Sequence, residues 1–282
     1  MPLSVSVFGL GLMGRPIART LIARGVLVQG WNRSPLAQKL TAGIPLAPSL
    51  QEAADADVCL LMLADSAAVA AVLGQLEGSL RAGQTVLDMG TSDPDSSRAH
   101  AERLAAKGIR WVDAPVSGGP EGAAAGALAI MAGGTAEDVA RVTPVLEALG
   151  SNVVRVGGPG AGHVTKLINQ VIVGLAIEAV AEALALAERS GIDPALVQAA
   201  LRGGFADSNV LQIHGTRMIT RAYVPGAKVT THLKDLQLAL RLAAHAGLSL
   251  PHLESTRARY QKLVDQGRGD EDHSALHALL IR

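Results

Sequence analysis

The chain has 282 residues, enough for one large domain or two of ordinary size, and 49% apolar against 18% charged residues is a globular composition, not a disordered one. Lys plus Arg and Asp plus Glu both number 25, so no net positive field gathers nucleic acid or an anionic membrane, and two each of Trp, Tyr and Phe are too few for a base-stacking platform. The single cysteine, Cys59, excludes an internal disulfide framework and fits a reducing, cytoplasmic setting, and the charges near the N-terminus are in the wrong order for a secretory signal.

Short apolar runs at residues 3–8, 26–31, 58–63, Thr85–Asp88, 111–114, 128–132 and 153–156 predict strands. The stretches of helical period between them predict a parallel, doubly wound α/β sheet. Helix starts are expected at Ser34-Pro35 and Asp93-Pro94, each a cap followed by proline, and at the capping boxes Ser49 to Glu52 and Thr135 to Asp138. Beyond the glycine-rich run 157–162 the period is helical almost to the end. A helix over 163–189, apolar nearly all round its middle, needs several neighbours or a second subunit to cover it, so a homodimer or homotetramer is expected. It joins a sheet domain, 1–160, to an all-helical domain, 161–282. Its most apolar stretch, 171–186, carries Glu178 and Glu182, which argues against a membrane span. Asp193-Pro194 starts the next helix.

Gly9-Leu10-Gly11-Leu12-Met13-Gly14 is a G-x-G-x-x-G placed between a predicted strand and a predicted helix. The pattern alone is weak, but this context is what a dinucleotide fingerprint requires. Gly9 allows the tight turn, Gly11 lets a pyrophosphate approach the backbone, and Gly14 lets helix and strand pack closely. The second strand ends in Asn32-Arg33-Ser34, where an enzyme binding the unphosphorylated ribose would carry an acid. Arg33 suits a phosphate, and Ser34 suits either that phosphate or a helix cap. NADPH is therefore the expected cofactor, with NADH also admitted.

Two segments look chemical. Ser117-Gly118-Gly119, at the end of a predicted strand, offers backbone amides and a hydroxyl to a carboxylate, although a plain turn would read the same. Lys166, Asn169 and Gln170 share one face near the start of the long helix. A solvated face explains them blandly; a desolvated lysine acting as a general acid explains them chemically.

Four blocks, Phe8 to Ala18, Asp113 to Gly119, Gly160 to Gln170 and Leu233 to Ala239, together resemble the β-hydroxyacid dehydrogenase family over nearly the whole chain. That family includes 3-hydroxyisobutyrate dehydrogenases, tartronate semialdehyde reductases and glyoxylate or succinic semialdehyde reductases. Val210 to Met218 and Tyr223 to Ala227 look most like the tartronate semialdehyde branch. The resemblance implies a Rossmann-like N-terminal domain, a long interdomain helix and an all-α C-terminal domain. It implies hydride exchange between a nicotinamide and a small hydroxyacid or carboxylic semialdehyde. Lys166 would be the general acid, and Ser117, Gly118 and Gly119 would hold the substrate carboxylate. Asn169 or Gln170 would orient the substrate; family members often carry Asn at the position of Gln170. Lys234 would lie over cofactor and substrate, with Asp235 helping to fix its segment. Leu63, Ala64 and Thr91 would border the nicotinamide and its ribose.

Two alternatives stand beside this. Imine reductases resemble the same architecture but usually carry Asp or Tyr where Lys166 stands. A non-catalytic cofactor-binding scaffold would have no use for Lys166 and the Ser117-Gly118-Gly119 turn. His273 and His277, beside Asp270, Glu271 and Asp272, are expected on the hydrated face of a short C-terminal helix, not in a metal site. His214, His232 and His245 are expected at a surface or interface, and His163 close to the pocket.

Overall fold

The computed structural model, which describes residues 3–281, assembles the apolar runs into one eight-stranded sheet. The strands are β1 (Ser4–Phe8), β2 (Leu27–Trp31), β3 (Val58–Leu61), β4 (Thr85–Asp88), β5 (Arg110–Asp113), β6 (Val116–Ser117), β7 (Leu128–Gly133) and β8 (Gly150–Gly157). Their order is β2-β1-β3-β4-β5-β7-β6, with β8 paired to β7. Every residue of β3 and β4 is buried, as parallel strands covered on both faces require. Alternate side chains serve the two faces. Val58 and Leu60 join Val5, Val7, Ile17 and Leu21 on one side. Cys59 and Leu61 join Phe8, Leu73 and Trp111 on the other. Cys59 is a core residue, its thiol pushed up to about 12 by burial.

The sheet is not parallel throughout, as the sequence had suggested. From β2 to β5 the pairs are parallel, but β7 runs antiparallel to both β5 and β6. The two-residue β6 is too short to leave a periodic signal. Only the helix Gly119–Ala125 separates it from β7, and an antiparallel return needs no long crossover.

Most expected caps are present. Ser49 Oγ accepts from Glu52 N, Thr135 Oγ1 from Asp138 N, Asp93 Oδ1 from Asp95 N and Asp193 Oδ1 from Ala195 N. Ser34 is the exception. The helix after β2 begins only at Gln38, so Ser34 caps nothing.

The chain divides into two compact units between Lys166 and Leu167, inside the helix Ala161–Arg189. That 29-residue helix is slightly longer than expected, and long and apolar enough by composition to cross a membrane. Its acids mark it as a core helix instead: Glu178 and Glu182 both pair with Arg259, and Ile177, Ala181 and Leu184 pack in the core of the second unit. Around it stand the helices Pro194–Leu201, Gly215–Thr220, Val229–His245 and Pro251–Asp265, a π-helical turn Val210–His214 and a 3-10 turn His273–Leu279. A Cβ at Gly174 would meet Leu236 Cδ2 at 3.0 Å and His232 Nε2 at 3.2 Å, so this glycine admits the helix Val229–His245 at close range.

The histidines depart from expectation. His273 and His277 are buried, as is His232, whereas His245 is exposed. The acids preceding His273 suggested a hydrated face, but Asp272 turns inward. Its Oδ1 accepts from Ser274 N and Oγ, and its Oδ2 accepts from Arg217 Nη1 and Gly226 N. His214, Asp272 and His273 bring ligand-type atoms within 4.8 Å of one another, yet Asp272 already spends both oxygens on the protein. Burial alone would push Asp272 up; the nearby His214, the adjoining His273 and the Ser274 bonds outweigh it and hold the carboxyl well below its usual range.

Burial, with His232 and His214 adding to it, holds His273 well below the ordinary histidine value. The unfolded chain therefore binds the extra proton first. Stability from this residue is present above about pH 6.5 and is lost as pH falls below it. Thermal unfolding followed from about pH 7.5 to pH 5 is expected to show a falling melting temperature, with a shallower fall in His273→Leu. An unchanged slope in that variant would contradict the assignment.

Candidate active site

In an order of β2-β1-β3, the crevice at the carboxyl ends of β1 and β3 is a topological switch point. The glycine loop occupies it. Gly9 has φ of +97°, and a Cβ there would lie 2.4 Å from Met62 O. A Cβ on Gly14 would lie 1.8 Å from Gly9 O, so only glycine lets the helix start against the strand end. At Gly11 a Cβ would meet nothing within 4 Å, which leaves the backbone open to an approaching group. The helix Gly14–Ala23 has no side-chain cap and no acid in its first turn. Its positive end suits an anion. These features together fit the pyrophosphate of a dinucleotide.

Within the loop the residues divide their work. Leu10 is fully buried, and its amide donates to Asn32 Oδ1 at 3.0 Å; Leu12 is exposed, and Met13 partly so. Asn32 Nδ2 donates to Ser34 O at 2.7 Å. Asn32 is thus a clamp between β2 and the glycine loop, which its place in the sequence did not reveal. Arg33 and Ser34 are exposed at the same strand end. Leu63 and Ala64 follow β3 and Thr91 follows β4. A Cβ on Gly90 would lie 2.8 Å from Leu63 O, which shows how closely these two strand ends approach.

Ser117-Gly118-Gly119 stands at the end of β6 as a turn that only glycines can make, with φ of +133° at Gly118 and +65° at Gly119. Close by in sequence is a buried device that motif reading passed over. Asp113, at the end of β5, accepts from Gly160 N at 2.7 Å and from His163 N at 3.0 Å, capping the long helix. Burial pushes its carboxyl above the usual range, opposed by His163 and these amides. His163 is fully buried, with Nδ1 2.8 Å from Ser97 Oγ and Nε2 3.6 Å from Asp88 Oδ2. It is a structural residue of the first unit that fixes the turn leading to Lys166.

Lys166 lies in the second turn of this helix and is 8% exposed, which rules out the bland reading of a solvated face. On the following turn Asn169 Nδ2 donates to Gln170 Oε1 at 2.8 Å. Gln170 Nε2 donates to Asp235 Oδ2 at 2.7 Å, and Lys234 Nζ lies 3.0 Å from Asp235 Oδ1. The second unit therefore brings Asn169, Gln170, Lys234 and Asp235 together.

Residues 4–158 match the family described as the NAD binding domain of 6-phosphogluconate dehydrogenase, and residues 160–280 the one described as the NAD-binding domain of NADP-dependent 3-hydroxyisobutyrate dehydrogenase. A 2-hydroxy-3-oxopropionate reductase of Escherichia coli (strain K12) is 38% identical over 279 residues, covering 97% of this chain and 96% of the reductase. The chain belongs to the β-hydroxyacid dehydrogenase family. An L-threonate dehydrogenase of Cupriavidus necator is 32% identical over 283 residues, 98% of this chain and 95% of its own. The crystal structure of a 3-hydroxyisobutyrate dehydrogenase from Salmonella typhimurium superposes with a TM-score of 0.90 at 30% identity, covering 98% of this chain and 99% of that one. The protein is an NAD(P)-dependent hydroxyacid oxidoreductase with a Rossmann-like N-terminal half and a helical C-terminal half. In this dehydrogenase the glycine loop is the candidate for the cofactor, and Lys166 and the amides that follow it are the first candidates for the chemistry.

Proposed function

We propose that this dehydrogenase interconverts a small semialdehyde acid and its β-hydroxyacid, with NADP(H) preferred and Lys166 as proton donor in the reducing direction. The observation that carries the reading is the burial of Lys166 one turn before two amide side chains on the same helix. With its pyrophosphate at the glycine loop, a bound reduced nicotinamide cofactor would supply the hydride. Lys166 Nζ gives a proton to the carbonyl oxygen as negative charge develops there, and takes one back from water afterwards. Ser117 and the amides of its turn hold the substrate carboxylate. The relatives named for 2-hydroxy-3-oxopropionate and L-threonate support a substrate of three or four carbons bearing a carboxylate. An assay of reduced-nicotinamide consumption with tartronate, methylmalonate and succinic semialdehydes, glyoxylate and a cyclic imine tests this. Turnover of a semialdehyde acid is expected; turnover of the imine alone would favour the imine reductase reading, and none at all the scaffold.

We also propose that copies pair over the long helix. Ile168, Ile172 and Leu186 lie on one face and are 53%, 65% and 68% exposed, an apolar row costly to leave in water. Light scattering at micromolar concentration should report a dimer or tetramer; a clean monomer would contradict it.

A further inference from the structure

The two neighbouring amides, Asn169 and Gln170, are not equivalent. We propose that Asn169 is the amide that meets the substrate, and that Gln170 is a positioning residue whose carboxamide is locked by Asp235 and His232. The proposal rests on the reading of Lys166 as proton donor of the same helix.

A carboxylate only accepts, so Asp235 Oδ2, 2.7 Å away, dictates which end of the Gln170 amide is nitrogen. The same Nε2 lies 3.4 Å from His232 Nδ1, which must then be the acceptor, with the imidazole proton on Nε2. Both Nε2 hydrogens of Gln170 are spent. Its Oε1 is fixed in turn and accepts from Asn169 Nδ2 at 2.8 Å. Gln170 is 8% exposed, and its N–H groups could serve a substrate only by leaving these partners. Asn169 is only partly buried and gives Gln170 a single N–H. Its Oδ1 and second N–H remain for a ligand, an acceptor and a donor on one planar group. That pair matches a substrate carrying a hydroxyl next to its reacting carbonyl. The chain Asp235–Gln170–Asn169 thus sets the polarity of a recognition group, and His232 decides whether the middle link holds its rotamer. His232 is buried edge-on to Tyr260 and to His273, with ring centroids 4.9 Å and 5.0 Å away, so its own plane is fixed by packing.

The test uses the full-length enzyme with Asn169→Ala, Gln170→Ala, His232→Asn and His232→Leu. Steady-state rates are measured with tartronate semialdehyde, which bears the hydroxyl, and methylmalonate semialdehyde, which lacks it, alongside NADPH titration by fluorescence and thermal unfolding. Asn169→Ala is expected to lower kcat/KM for tartronate semialdehyde about 10–100-fold, chiefly through KM, with a smaller loss for the deoxy substrate and NADPH binding unchanged. Gln170→Ala is expected to lose less, about tenfold. An asparagine side chain sets its Oδ1 near the place of Nδ1, so His232→Asn should stay within about threefold of the parent while His232→Leu follows Gln170→Ala. Near-normal kinetics in Asn169→Ala with a large loss in Gln170→Ala would overturn the assignment, as would equal losses in the two His232 variants. If His232→Leu does not fold, the order of Asn169→Ala and Gln170→Ala still decides. Failure of the Lys166 reading is separate: it shows as retained turnover in Lys166→Ala, whatever the ranking of the amides.

Discussion

Replacing Lys166 by alanine is expected to lower turnover about 10²–10⁴-fold, the usual worth of a positioned acid. The lysine is 8% exposed in a helix whose start is held by Asp113 through Gly160 N and His163 N. Removing its side chain deletes the proton source without touching that cap. NADPH affinity should be nearly unchanged, because Gly9, Gly11 and Gly14 build the anion site on other elements. Steady-state kinetics with a semialdehyde, together with NADPH titration of the variant, separate the two effects. Near-normal turnover would remove Lys166 from the chemistry. Lost cofactor affinity with unaltered kcat at saturation would assign it to binding instead.

The second large effect is expected in cofactor choice. NADP differs from NAD by a phosphate on the adenine ribose, and the end of β2 offers Asn32, Arg33 and Ser34. Asn32 spends its amide on Leu10 N and Ser34 O, so it shapes the loop and leaves the phosphate to its neighbours. Arg33 is exposed and can meet the phosphate with a guanidinium fork, and the Ser34 hydroxyl is not engaged as a helix cap. A charge-assisted hydrogen bond of about 1.5–3 kcal/mol corresponds to a preference for NADPH of roughly ten- to a hundredfold. Arg33→Ala should raise KM for NADPH far more than for NADH. Asn32→Asp keeps the acceptor for Leu10 N but adds a charge that repels the phosphate, and should reverse the preference. Kinetics of the parent and both variants with the two cofactors check this; equal efficiency of the parent with NADPH and NADH would show that Arg33 does not hold the phosphate.

What was legible in the sequence was local. The glycine spacing, the strand before it and the helix after it lie within a few residues, and so do the caps at Ser49, Thr135, Asp93 and Asp193. The family blocks carried Lys166 and the serine–glycine turn. What was hidden depends on partners far along the chain. Asp113 serves amides 47 and 50 positions later, and Gln170 meets Asp235 at a separation of 65. A carboxylate that caps a remote helix or fixes an amide has the same sequence appearance as a surface acid. The run Asp270-Glu271-Asp272 misled for that reason: it made His273 look hydrated, while Asp272 turns inward to Arg217, 55 positions before it. Ser34-Pro35 carried the pattern of a helix start, but the clamp from Asn32 to Ser34 O holds this segment in a bend, and the helix is delayed to Gln38. The reversal at β7 was invisible because a two-residue strand such as β6 has no period to read.

Hydride exchange at this site with Lys166 as proton donor is tested by isotope transfer. The enzyme is supplied with NADPH deuterated at the transferable C4 position and tartronate semialdehyde in ordinary water, and the product is examined by mass spectrometry and NMR. One deuterium is expected on the carbon that was the carbonyl, with an unlabelled hydroxyl, formed rapidly by the parent and about 10²–10⁴-fold more slowly by Lys166→Ala. Product without deuterium, or equal rates of labelling in parent and variant, would contradict it.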